Sequence, residues 1–193
     1  MTTPQDVLNF WLDDVGPKGW YNGSPELDQE IRHRFLGVWE RAAEGSLGLW
    51  LTCASETLAY LIVTDQFPRN MFRDSAKAFS TDRQARAVAR VAVSKNWDMN
   101  IDAPARQFFY LPMMHSEDIF DQDRAVRLFC SRMPSEGAGN IEHARAHRAI
   151  IREFGRFPFR NAALGRKTTA AEQAFLDNGG YGAILRKVQA QGN

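Results

Sequence analysis

Apolar residues recur at steps of three or four along nearly the whole chain, which is the period of an amphipathic α-helix. A capping residue followed by proline marks two helix starts, Thr3 with Pro4 and Ser24 with Pro25, because proline suits the first helical turn. Further helices are predicted over residues 82–95 and over residues 104–111. Three more are predicted: one that starts after Ser116, one that ends at Gly155, and one that starts with the capping box at Thr169. No run alternates with the two-residue period of a β-strand, so the pattern predicts an all-α fold.

One predicted helix, over residues 55–66, differs from the others. Its middle, Leu58–Val63, is apolar on nearly every side, which indicates a central, buried helix. Pro68 is predicted to end this helix. In total we expect about seven or eight helices, packed as antiparallel pairs in a single domain that spans residues 1–193.

Composition and charge narrow the class of protein. The 193 residues include 24 Lys plus Arg and 23 Asp plus Glu, and this net charge of +1 lacks the electrostatic footprint of a nucleic-acid-binding protein. The longest apolar runs fall well short of the ~20 residues that a membrane span needs. The first residues carry acids and no basic signal-peptide segment. We therefore expect a cytoplasmic protein with no nucleic-acid and no membrane partner, and the sequence leaves its oligomeric state open.

The sequence motifs do not indicate a metal or a cofactor. The chain has neither the GxGxxG pattern of dinucleotide-binding folds nor a Walker A loop, so no cofactor is predicted. Cys53 and Cys130 lack the spacing of metal ligands or redox pairs, and we interpret them as reduced core residues. His143 and His147 share one helix face, but the residues between them do not form HExxH. We interpret these histidines as packing or surface residues and predict no metal site.

Asp65 falls on the inner face of the apolar helix, near its predicted C-terminal end. Burial disfavours a carboxylate, and the negative end of the helix dipole disfavours it further. We therefore predict that arginine holds Asp65, since a guanidinium pairs with a carboxylate through two parallel hydrogen bonds. The candidates follow Asp65 within two turns or occupy a similar segment later in the chain, and they are Arg69, Arg73, Arg160 and Arg166.

This arginine cluster has more than one interpretation. Four arginines with few acids near them in the sequence leave positive charge, which would bind a phosphate or carboxylate ligand. Asn70, Arg156 and Asn161 belong to the same two segments and are further ligand-binding candidates. Alternatively, the cluster is a buried ion-pair network that fixes how two helix ends meet, or a surface for a partner protein.

His115 is a candidate for acid–base chemistry. It directly precedes Ser116, the predicted N-cap, and the positive end of a helix favours a neutral imidazole. As a general acid–base pair with Glu117 or Asp65, His115 would need to come within about 3 Å of that carboxylate. Alternatively, Glu117 is only a helix-capping acid and His115 an ordinary hydrogen-bonded residue.

Three sequence blocks stand in a fixed order: DQFPRNMFR at residues 65–73, YLPMMHSE at residues 110–117, and FGRFPFRN with LGR at residues 154–166. These blocks resemble the signature of the bacterial domain of unknown function 924 family. The resemblance implies an all-helical, tetratricopeptide-like fold, in which antiparallel helix pairs stack into an array with a concave surface. It implies no reaction. The third block commonly continues with histidine where this chain has Phe159, and the second with phenylalanine where it has Met113, so a mechanism that depends on that histidine is not available here.

Three hypotheses of function follow. The first is binding of an anionic small molecule or an acidic peptide end through the arginines, with Asp65 and Asn70 orienting it. The second is a hydrolase-type enzyme, with His115 as general base and Asp65 or Glu117 as its orienting acid. The third is a tetratricopeptide-like protein-interaction module.

Overall fold

The structure, a computed structural model, describes residues 2–135 and 137–191. These residues form helices, turns and loops and contain no strand, so the all-α prediction is confirmed. Nine α-helices in this part of the chain have five residues or more, close to the predicted seven or eight, and none of its helices is long and apolar enough to cross a membrane. The chain divides into two compact units, residues 1–112 and 113–193, which are described one at a time. The tetratricopeptide-like pairing and the single domain stay predictions.

The first unit contains a series of helices of very different lengths. Its α-helices are α1 (Pro4–Leu8), α2 (Gly16–Gly19), α3 (Pro25–Ala43), α4 (Ala54–Leu61), α5 (Phe67–Met71) and α6 (Asp82–Ser94), and α7 (Leu111–Met114) contains the division between the units. Two stretches are π-helical, Asn9–Val15 and Ile62–Gln66. Short 3₁₀ helices occupy Gly48–Leu51, Ala76–Phe79, Trp97–Asn100 and Ala105–Phe109.

The predicted helix starts of the first unit are confirmed. The Thr3 hydroxyl accepts a hydrogen bond from the Asp6 N–H at the start of α1, and the Ser24 hydroxyl accepts one from the Leu27 N–H at the start of α3. Such caps satisfy backbone N–H groups that have no partner within the helix.

Aromatic rings from three helical segments form the core of the first unit. The ring centroid of Phe35 lies 5.0 Å from that of Phe10 and 4.8 Å from that of Phe67. Trp11 meets Phe67 edge-on at 5.4 Å. Residues Leu58–Val63 are all buried, which confirms the prediction of a central helix.

The prediction that Pro68 ends this helix is wrong. The chain continues from α4 through the π-helical residues Ile62–Gln66 into α5, and Pro68 is the second residue of α5. Proline has no N–H to donate, and a wide π-helical turn before it, in which the Phe67 N–H reaches back to the Ile62 carbonyl, keeps the helical path intact. Asp65 therefore lies inside a continuing helical path, and the dipole of a helix end is not what constrains it.

The second unit is organised around one long helix. Its α-helices are α8 (Ile119–Arg132), α9 (Ala138–Phe154), α10 (Ala170–Asp177) and α11 (Gly180–Gln191), and Pro158–Arg160 forms a 3₁₀ helix. Helix α9 packs against α8 and α11. The core of this unit is a group of apolar side chains. Its members are the buried Ile150, Ile151 and Phe157 and the partly buried Ile119, Phe154, Phe175, Tyr181 and Ile184.

Two of the three helix boundaries predicted in this unit are confirmed. Gly155 ends α9 in the left-handed conformation with φ 69°, and the Thr169 capping box begins α10. The prediction that Ser116 caps α8 is wrong, because the Asp118 carboxylate accepts from the Phe120 N–H and caps it instead. A charged acceptor is favoured at the positive end of a helix. His115 therefore does not adjoin the start of α8.

The interpretation of Cys53 and Cys130 as core residues is wrong, although both thiols are free. Cys53 occupies the N-cap position before α4. Cys130 follows the buried Phe129, and one step along a helix turns a side chain by about 100°. Both side chains are exposed.

Candidate functional site

The predicted pairing of Asp65 with arginine is confirmed in the first unit. Asp65 is 1% exposed, and the Arg69 Nη1 lies 3.5 Å from its Oδ1 and also donates to its backbone carbonyl. Arg69 donates two further hydrogen bonds to Asp82, of 3.0 and 3.1 Å. Burial lowers the pKa of Arg69, but Asp65 and Asp82 more than offset this and raise the pKa above its ordinary value, so the guanidinium stays charged.

A second pairing in this unit involves Asp28. Its Oδ1 accepts hydrogen bonds of 2.8 Å from the Asn70 amide and from Arg73 Nη2, and Arg73 Nε donates to its Oδ2. Burial alone would raise the pKa of Asp28, but these donors lower it below the ordinary value. Arg73 and Asn70 are therefore committed to a carboxylate that stands more than forty residues earlier in the sequence.

In the second unit, Glu117 is the acid that Arg166 holds. Arg166 donates to both carboxylate oxygens, at 2.7 and 3.0 Å, and the Phe157 N–H donates to Oε1 at 2.8 Å. Partial burial raises the pKa of Glu117, but these donors outweigh it and the pKa lies below the usual range. No hydrogen bond joins Glu117 to His115 among the residues that the structure describes.

Arg156 and Asn161 converge on Glu172, the second acid of the Thr169 capping box. Arg156 donates to both oxygens of this buried carboxylate, and the Asn161 amide donates at 3.4 Å. Hydrogen bonds from Arg156 and from the Thr169 backbone lower the pKa of Glu172 to about 2. Asn161 also accepts a 2.9 Å hydrogen bond from Arg166 Nε, which links the two ion pairs into one network.

These pairings change the charge balance expected from the sequence. Each of Arg69, Arg73, Arg156 and Arg166 has a carboxylate partner. Three of those carboxylates, Asp28, Asp82 and Glu172, lie outside the sequence blocks, so inspection of the blocks missed them. The surplus of positive charge was predicted for Arg69, Arg73, Arg160 and Arg166, and it is wrong for Arg69, Arg73 and Arg166, which each pair with a carboxylate. The fourth, Arg160, interacts electrostatically with Glu117.

The histidines of the second unit form a cluster that sequence reasoning did not select. The His147 Nδ1 lies 2.8 Å from the His143 carbonyl oxygen, and because a carbonyl only accepts, Nδ1 carries the hydrogen and Nε2 presents a lone pair. Nε2 has no hydrogen-bond partner among the described residues. Burial, followed by the nearby His115, Arg160 and His143, lowers the pKa of His147 to about 3, although the backbone hydrogen bond opposes the shift.

Aromatic rings surround His147. Its ring centroid lies 6.2 Å from that of His115, 5.3 Å from Phe157 and 4.9 Å from Tyr181. The Arg160 guanidinium carbon lies 4.5 Å from the Phe157 ring centroid. The spacing of His143 and His147 was the available sequence signal, but only the rings packed around His147 distinguish it from a surface histidine.

Gln122 fixes the backbone on both sides of His115. Its buried amide donates hydrogen bonds of 2.6 Å to the carbonyls of Met114 and Ser116, while the Ser116 hydroxyl donates to Asp121 at 2.8 Å. A buried side chain that bridges two backbone carbonyls restricts the conformation of the residue between them. His115 is thus presented from a fixed segment.

Fold and site together define a class of all-helical protein in which sequence motifs place arginine–carboxylate pairs and a histidine cluster. The chain belongs to the family of bacterial proteins of unknown function termed DUF924, which matches residues 7–180. It is similar to a solved structure of a protein of unknown function from Agrobacterium tumefaciens, with 38% sequence identity and a TM-score of 0.85, over 91% of this chain and 97% of that one. A search of curated proteins gives no match.

Proposed function

We propose that this chain binds a small phosphate- or carboxylate-bearing molecule at the cluster formed by His115, His147 and Arg160. One observation carries the proposal: the His147 Nε2 has no hydrogen-bond partner among the described residues, and the His115 ring and the Arg160 side chain lie close to the His147 ring. Glu117 also interacts electrostatically with Arg160, and the cluster still favours an anion because one guanidinium and two imidazoles can offer it hydrogen bonds.

The groups in this cluster suit such a ligand. Arg160 is buried and lies over the Phe157 ring, and a guanidinium stacked in this way keeps its planar fork of donors pre-organised. The His147 Nε2 accepts a hydrogen bond from a protonated ligand oxygen, or donates one if the bound anion raises the pKa of the ring. One site can thereby recognise both the charge and the hydroxyl of a monoprotonated phosphate.

The test is a titration with inorganic phosphate and with citrate, followed through the imidazole signals of His147 by nuclear magnetic resonance. We expect binding to move these signals and to raise the pKa of His147, because a nearby anion stabilises the imidazolium. Arg160→Gln should weaken binding by about tenfold or more, while Arg160→Lys retains part of it.

Arg127→Gln is the matched control, since it removes one positive charge from an exposed position of α8 with no ion pair among the described residues. Two results would contradict the proposal. One is that neither phosphate nor citrate moves the His147 signals. The other is that binding weakens equally in Arg127→Gln and Arg160→Gln.

A second candidate function is a hydrolase-type reaction on the bound anion, with His115 and His147 as the acid–base pair. It is favoured by the fixed tautomer of His147 and by the Gln122 bridges around His115. Glu117 accepts hydrogen bonds from Arg166 and from the Phe157 N–H, so its role in this mechanism is structural. His147 takes its place as the partner of His115.

For this candidate we expect His115→Gln to reduce hydrolysis of a responsive phosphate or carboxylate ester by about 10²- to 10⁴-fold, which is the usual contribution of a general acid or base. A panel of such esters provides the assay. The exposed His33 supplies the control, because His33→Gln should leave the rate unchanged. A rate that survives in His115→Gln would exclude His115 as the base.

The remaining hypotheses are a tetratricopeptide-like interaction module and a cytoplasmic location. We keep both as proposals: an exposed apolar face of several hundred Å² would support the first, and cell fractionation tests the second.

A further inference from the structure

Helix α9 presents different chemistry on two faces. His143 and His147 lie four residues apart on one face of the helix. A second face carries Arg145, Arg148 and Arg152, which are three and four residues apart. The three arginines line a groove of about 350 Å³ together with Ala149, Val188 and Gln191, and no acid is among these lining residues. This groove lies between α9 and α11 and is distinct from the histidine cluster.

The arginines of the groove have fewer carboxylate partners than Arg69, Arg73, Arg156 and Arg166. Arg148 Nη1 and Arg152 Nη2 share one oxygen, the Asp123 Oδ1, each at 3.2 Å. Arg145 makes no hydrogen bond or ion pair with any residue that the structure describes. Glu142, the acid one turn before Arg145, instead accepts a hydrogen bond from Gln189. Two of the three guanidinium groups therefore share one carboxylate, and the third, that of Arg145, pairs with none among the described residues.

The spacing of these groups indicates the shape of a ligand. A helix rises ~1.5 Å per residue, so the arginines extend over ~10 Å along α9. A single phosphate reaches only part of that length, whereas a chain of phosphates can contact all three guanidinium groups. Arginine pairs with phosphate oxygens through two parallel hydrogen bonds, which suits it to this role.

We propose that the groove between α9 and α11 is a binding site for a molecule with a chain of phosphate groups, held by Arg145, Arg148 and Arg152. The phosphate chain is the recognised chemistry, and it occurs both in inorganic polyphosphate and in nucleoside triphosphates.

The test is calorimetry with tripolyphosphate and, in a second arm, with a nucleoside triphosphate. Binding should be tighter for tripolyphosphate than for inorganic phosphate, and it should weaken as salt screens the charges. Arg145→Gln with Arg152→Gln should reduce the affinity for tripolyphosphate by about a hundredfold, at roughly tenfold for each lost charge-assisted contact. Arg127→Gln should leave it unchanged. If the nucleoside triphosphate binds more tightly than tripolyphosphate, the ligand of the groove is a nucleoside triphosphate. If the two affinities are equal, the groove recognises the phosphate chain alone.

Asp123→Asn sharpens the test because it predicts a gain. Loss of the shared carboxylate frees Arg148 and Arg152, so tripolyphosphate should bind several-fold more tightly, whereas a purely structural role for Asp123 predicts no gain. Arg160→Gln should leave binding in the groove unchanged, which separates this site from the histidine cluster. Three results would each overturn the proposal: no binding of tripolyphosphate, equal loss in Arg127→Gln, or a preference for hexaglutamate or single-stranded DNA over tripolyphosphate.

Discussion

Replacing Arg69 with methionine is expected to lower the free energy of unfolding by about 4 kcal/mol, because the change takes a guanidinium away from a buried carboxylate. Asp65 is 1% exposed, so water cannot replace the lost partner without opening the structure. Asp82 also loses two hydrogen bonds in this variant. Urea unfolding followed by circular dichroism provides the measurement.

The double variant Arg69→Met with Asp65→Asn tests the cause. Asp65 keeps the hydrogen bond from the Gln66 amide but loses its cationic partner. A neutral amide is far less costly to bury than a carboxylate without a cationic partner, so the second substitution should recover a large part of the lost stability. Arg73→Met is the matched control, since the Arg73 side chain is half exposed and its pairing with Asp28 should contribute at most about 1 kcal/mol. Equal losses for Arg69→Met and Arg73→Met would contradict the role assigned to burial.

Acidification is expected to destabilise the chain through His147. Its pKa is lowered to about 3 in the folded protein, against 6.5 for an ordinary histidine. The unfolded chain therefore binds a proton that the folded chain excludes, and the stability contributed by the neutral ring is complete above pH 6.5 and falls as the pH drops towards 3. Between about pH 7.5 and pH 5 this contribution should fall by about 2 kcal/mol.

His147→Gln isolates this effect, because glutamine is neutral throughout and its amide can replace the hydrogen bond to the His143 carbonyl. Unfolding curves in phosphate-free buffers should show that the loss of stability on acidification is about 2 kcal/mol smaller in this variant. His33→Gln, an exposed control, should keep the full loss. An unchanged acid sensitivity in His147→Gln would show that the ring is already charged or exchanges freely with water.

The sequence predicts those features of the fold and site that depend on neighbours along the chain. The caps at Thr3, Ser24 and Thr169 are local, and so is the pairing of Asp65 with Arg69 four residues later. The all-α class follows from the same short-range periodicity. Such features need no knowledge of how distant segments pack.

The features that the sequence did not predict depend on distant contacts or on competition between neighbouring groups. Asp28 lies 45 residues from Arg73 in the sequence, so no local pattern could reveal that the two charges cancel. The low pKa of His147 arises from rings and cations that converge only in the fold. At the start of α8, both Ser116 and Asp118 are residue types favoured as caps. The Ser116 hydroxyl instead donates to Asp121, and Asp118 caps the helix.

The π-helical turn at Ile62–Gln66 accommodates one more residue than an α-helical turn would over the same path. Deletion of one residue there would place Pro68 inside a regular α-helix, where its ring would clash with the carbonyl four residues earlier. Deletion of one residue within α4 would instead rotate every later side chain by about 100°. The extra residue of this turn therefore lets α4 and α5 follow one continuous path past a proline.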